Sequence, residues 1–213
     1  MENIAYILFI CFMAPMLLML LMLRGRSRLR VGYMLIGVFV SLFVSELNSI
    51  LLNLCGGDML YVSTNVTPVT EEIVKAIPVL FYAIVFYDKR DRCMPIAFAI
   101  GVGFAMFENM VILVQNVETV TIGWAIIRGF STALMHAICS VAVGYGICFV
   151  KKRPKMFRSG TFALLTLASI YHGIFNMLVQ SEYKYLGFLL PAVTYVPILL
   201  MHYSYYKNKK GSI

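Results

Sequence analysis

"TEEIVKAIPVLFYAIVFY", residues 70–87, is apolar enough to read as a membrane-crossing helix, yet it sets Glu71, Glu72 and Lys75 near one end. A charge near mid-bilayer costs at least ~2.5–3.5 kcal/mol on insertion scales. The stretch therefore decides two matters together. Either the segment is not a span, or the rest of the chain brings partners for these charges to the same depth.

The wider chain favours a span. Its 213 residues are 61% hydrophobic and 13% charged, with mean hydropathy +0.83. That excludes an ordinary soluble domain and implies an all-α, polytopic membrane helix bundle. A helix needs about 20 apolar residues to cross the hydrocarbon core. By that measure seven transmembrane helices are expected, over residues 3–23, 31–55, 69–87, 94–115, 122–150, 160–179 and 185–206. The first lacks a basic region before its apolar run and is expected to be an anchor, not a signal peptide. No linker or internal repeat divides the chain, so residues 1–213 are expected to form one domain.

The net charge of +8 does not point to nucleic acid, because its position explains it. Fifteen of the 18 lysines and arginines fall after spans one, three, five and seven: Arg24 to Arg30, Lys89 to Arg92, Lys151 to Arg158 and Lys207 to Lys210. The alternate connections hold only Lys184. Basic loops stay cytoplasmic, which puts the N-terminus outside and the C-terminus inside. The five cysteines are scattered through apolar segments without a CxxC pair, suggesting neither a disulfide framework nor a thiolate zinc site.

Polar residues inside the spans are Glu46, Glu71, Glu72, Lys75, Glu108, Asn109, Arg128, His136, His172 and Asn176. Glu108 and His172 each lie seven residues before the outer end of a span, roughly 10 Å deep at 1.5 Å per residue. Glu71 and Glu72 open an inward-running span, and His136 counts deeper than these. Helical spacing adds direction. Arg128, Thr132, His136, Ser140 and Gly144 form one stripe, His172 and Asn176 are four apart, and Glu71 can pair with Lys75. Gly101, Ala105 and Asn109 make a small face that admits a close neighbour. Singly, each has an ordinary reading: interfacial carboxylates, packing histidines, an arginine snorkelling to the surface, an asparagine joining helices. Their shared depth is what suggests a common site.

Absences narrow the chemistry. There is no HExxH, the only aspartates (Asp58, Asp88 and Asp91) lie in connections, and no GxSxG occurs. Glutamates with histidines leave two options. A desolvated glutamate activates water for attack on a peptide carbonyl, or carboxylates and imidazoles bind zinc, which activates the water. The cofactor is thus zinc or none. A Glu–His proton relay in a transporter or channel is the alternative function.

"EEIVK" (Glu71 to Lys75), "FAMFEN" (Phe104 to Asn109), "HAICS" (His136 to Ser140) and "HGIFN" (His172 to Asn176) resemble, in order and on four consecutive spans, the motifs of the PrsW family of intramembrane proteases. These are distantly similar to CAAX prenyl endopeptidases, whose FxxxH histidine is Glu108 here. The resemblance implies a bacterial inner-membrane protease of regulated proteolysis, making the first extracytoplasmic cut in a single-span anti-sigma factor during a stress response. It implies Glu71 or Glu72 as general base, and Glu108 and His172 as water- or metal-positioning partners. His136 would then bind the carbonyl, Asn176 orient it or donate to the oxyanion, and Lys75 hold one glutamate ionised. Asn109, Arg128 and Ser140 are supporting residues.

Overall fold

The computed structural model describes residues 25–86, 90–118 and 120–210. The expected first span, residues 3–23, lies outside them. The described residues form a helical membrane bundle with no strand among them. Helix α1 is Gly25–Leu54, α2 is the single turn Met59–Tyr61, α3 is Thr67–Val85, and α4 is Arg90–Gln115. Helix α5 follows at Ile122–Ile147, α6 at Pro154–Val179 and α7 at Lys184–Lys210. Four stretches are long and apolar enough to cross a bilayer: Gly25–Leu54, Asp91–Gln115, Ile122–Ile147 and Pro154–Val179. Helix α3 has 19 residues and owes its charge to Glu71, Glu72 and Lys75.

Burial runs opposite to that of a soluble protein. Phe39 is 58% exposed and Phe43 55%, whereas Lys75, Glu72 and His172 are 1% exposed and His136 not at all. Large apolar residues facing out and ionisable ones facing in is the pattern a lipid surround imposes. Helix α5 is central, packing on α3, α4, α6 and α7, while α1 lies along α4. The α1–α4 contact is close because both helices present glycine. A Cβ on Gly37 would strike the Ile100 carbonyl, and one on Gly103 the Met34 carbonyl. Gly101 gives the expected close approach too, since its Cβ would lie 2.6 Å from the His136 carbonyl oxygen.

The connection from α1 to α3 is ordered. Gly56 and Gly57 take positive φ (74° and 82°), and Asp58 caps α2 by accepting from the Tyr61 N–H at 2.9 Å. A π-turn, Val62–Val66, then runs straight into α3, with Pro68 in the first helical turn. This turn is pinned to α6. Asn176 donates its side-chain N–H to the Ser63 carbonyl at 2.9 Å, and the Thr64 carbonyl sits against Gly173.

Candidate active site

Glu71, Glu72 and Lys75 share the inward face of α3 and meet residues from α4, α5 and α6. Lys75 Nζ donates to Glu72 Oε1 at 2.6 Å and to His136 Nδ1 at 2.8 Å. The i,i+4 pairing of Glu71 with Lys75 is thus replaced by the i,i+3 pair, because helix phase turns Glu72 toward α6 and brings it under the ammonium. Lys75 also lies 4.8 Å over the Phe104 ring.

The protonation pattern follows from what each partner can do. An ammonium only donates, so Nδ1 of His136 accepts and its Nε2–H donates to Glu108 Oε2 at 2.6 Å. Glu108 Oε1 lies 3.7 Å from the Arg128 guanidinium, which stands over Trp124. Likewise Nδ1–H of His172 donates to Glu72 Oε1 at 3.0 Å, leaving its Nε2 lone pair 3.8 Å from Glu71 Oε2. The two imidazoles stand edge to face with centroids 4.9 Å apart. A chain of donors and acceptors therefore runs His172–Glu72–Lys75–His136–Glu108–Arg128 across four helices.

Sequence depth placed His136 below Glu108, yet the two are hydrogen-bonded. His136 Nε2 lies 2.6 Å from Glu108 Oε2, which sets the two side chains at one level. The remaining expected residues are placed less centrally. Asn109 and Ser140 are buried, with Asn109 Oδ1 and Ser140 Oγ unpartnered. The Asn176 side chain is taken up by Ser63, and Glu46 is exposed.

Glu71 and Glu108 line a cleft of about 230 Å³ between α1, the α2–α3 turn and α4. Its α1 wall consists of Ser41, Val44, Ser45, Asn48, Ser49 and Leu52, a set that motif reading passed over. The signal was there, because 41, 45, 48 and 52 fall on one helical face. Without a neighbouring titratable group, that face looks like small-residue packing.

The cluster suits a divalent cation. Glu71, His136 and His172 are buried and offer ligand atoms all within 4.8 Å of one another. A carboxylate with two imidazoles is a common zinc donor set. Lys75 and Arg128 balance two of the cluster's three carboxyl groups, Glu72 and Glu108. The third is Glu71, whose Oε2 is buried and accepts no hydrogen bond. That oxygen and His172 Nε2 point lone pairs at each other, an arrangement relieved by a cation between them. Each histidine also hands its other N–H to a glutamate, the orientation typical of metal-bound imidazole. One adjustment is needed: Lys75 must release His136 Nδ1.

Fold and site together define a helical membrane bundle with buried carboxylates and imidazoles gathered beside a cleft. Residues 25–202 match the family model described as the PrsW family intramembrane metalloprotease, and the chain belongs to that family. It is similar to "Protease PrsW" of Clostridioides difficile (strain 630), at 28% identity over 208 residues, covering 90% of this chain and 86% of the relative. No solved structure matches the chain. The chain is accordingly a membrane-embedded protease, not a transporter.

Proposed function

We propose that this protease cuts a single-span membrane protein of anti-sigma factor type near the extracytoplasmic boundary of a bacterial cell membrane, in the cleft floored by Glu71 and Glu108. The full arrangement is seven spans, N-terminus outside and C-terminus cytoplasmic. The observation that carries the site is the facing pair of Glu71 Oε2 and His172 Nε2, 3.8 Å apart and buried, with Glu71 also lining the cleft.

Glu71, His136 and His172 would hold zinc, which when bound acidifies water and polarises the scissile carbonyl. Glu72 keeps the His172 ring in its tautomer, and Glu108 does the same for His136. Glu108, whose side chain is 24% exposed, reaches the cleft and is placed to take the proton of the attacking water and return it to the leaving amine. Arg128 orients that carboxylate. Lys75 supplies the counter-charge to Glu72.

A metal-free reading is favoured by one observation, that both His136 nitrogens are already engaged, by Lys75 and Glu108. In that reading Glu71 is the base, and the attacking water lies between its Oε2 and His172 Nε2. Elemental analysis of the purified enzyme, with cleavage before and after chelation, decides between them. About one zinc per chain, activity lost on chelation and restored by zinc are expected. Full activity in metal-free protein would leave Glu71 as base.

A further inference from the structure

Helix α1 contributes no titratable group to the cluster, yet it forms a whole wall of the cleft. Ser41, Ser45, Asn48 and Ser49 share one face, while Phe39, Phe43 and Ile50, each more than half exposed, occupy the other. Ser49 Oγ bonds back to the Ser45 carbonyl at 3.1 Å, but Asn48 Oδ1 is buried without a partner. Facing it, Glu71 is only 5% exposed, and its Oε2 is also unpartnered. Both residues line the cleft, and each carries a buried acceptor oxygen that lacks a donor, which the N–H groups of a ligand seated between them would supply.

The ligand's chemistry follows from the reaction. A peptide bond inside a helix has its N–H and C=O tied up, and its carbonyl is screened by the turn around it. To be cut it must unwind, and unwound backbone within a membrane must find new partners. An asparagine amide offers a donor and an acceptor together, enough for both groups of one peptide unit. The cleft runs along α4 from Phe104 to Gln115 and along α1 from Ser41 to Leu52, a rise of eleven residues on each wall. That is roughly 16 Å, the length of about five residues of extended chain.

We infer that the α1 face of Ser41, Ser45 and Asn48 is a substrate-strand subsite, holding about five residues of unwound polypeptide against Glu71 and Glu108 through main-chain hydrogen bonds. Asn48 is its central contact, pairing with the backbone as an added strand pairs with a sheet edge. The inference rests on the protease reading above. It assigns the outer half of α1 to recognition that depends on backbone and tolerates varied side chains.

The test uses the full-length enzyme and a tagged single-span substrate that the wild type cleaves. Asn48→Leu is expected to cut it at least tenfold more slowly with its melting temperature unchanged or raised, since the leucine removes a partnerless amide. In enzyme arrested by Glu71→Gln, p-benzoylphenylalanine in place of Ser45 is expected to cross-link within about three residues of the scissile bond, and in place of Phe43 not to. Equal cross-linking from both positions, or none from Ser45, overturns the subsite even if Asn48→Leu fails to accumulate. Unchanged cleavage by Asn48→Leu overturns it as well. If Glu71→Gln itself cuts normally, the site reading fails instead, which keeps the two failures apart.

Discussion

Adjacent glutamates meet different surroundings on α3. Glu72 Oε1 accepts from Lys75 and His172, so it belongs to the bundle's internal wiring. Glu71 lines the cleft, and its buried Oε2 accepts from nothing and lies 3.8 Å from His172 Nε2. Breaking a buried ion pair leaves its partner uncompensated and costs about 3–5 kcal/mol. Glu72→Gln, and equally Lys75→Met, should therefore lower the melting temperature in detergent and the level of folded protein. Glu71→Gln removes a buried carboxyl whose Oε2 accepts no hydrogen bond, so in metal-free protein it should melt no lower than wild type, while the zinc-supplied enzyme should cut about 10²-fold or more slowly. A Glu71→Gln protein that melts as low as Glu72→Gln would assign Glu71 to structure. Sequence spacing grouped these residues correctly but paired Glu71 with Lys75. Both i,i+3 and i,i+4 lie on one helical face, and only the neighbouring helix decides between them.

Between elements, the site depends on how closely α1, α4 and α5 approach. Gly37 and Gly103 let the α1 and α4 backbones touch, and that contact fixes the width of the cleft. Alanine at either position meets a carbonyl of the other helix, and overpacking of this kind costs about 1–3 kcal/mol. Gly129 on α5 faces open space, so Gly129→Ala should be neutral or gain up to about 1 kcal/mol of helix propensity. Melting curves of the three variants test the contrast. If Gly103→Ala matches Gly129→Ala, the two helices are not in backbone contact. The close face of Gly101, Ala105 and Asn109 was legible because small residues at helical spacing have one principal use in a membrane. The α2–π-turn segment was not. Its order comes from Asn176 and Gly173, more than a hundred residues away, and no local pattern carries that contact. His136 was misjudged in depth for a similar reason, since counting from a helix end ignores where that end stands relative to its neighbours.

For the molecule as a whole, the orientation of the bundle determines which side of the membrane the protease serves. The cleft opens toward the α1–α2 turn and the end of α4, near Gln115 and Met59. The basic loops lie at the opposite end, around Arg90, Arg92 and residues 151–158. If lysine and arginine stay cytoplasmic, the cleft faces outward, and its substrate must present the scissile bond there. Cys55 is part-exposed just past the cleft end of α1, whereas Cys93 and Cys148 are buried near the basic end. In cells carrying a Cys11→Ser variant, a membrane-impermeant maleimide should label the protein from outside, and Cys55→Ser should abolish the labelling. A protease-sensitive tag after Ile213 should be digested only once the inner leaflet is exposed. The reverse result on both counts would turn the cleft toward the cytoplasm, and an extracytoplasmic stub could not be its substrate. Because Glu71, Asn48 and the mouth of the cleft lie on one side of the bundle, this experiment fixes the side of cleavage without identifying the substrate.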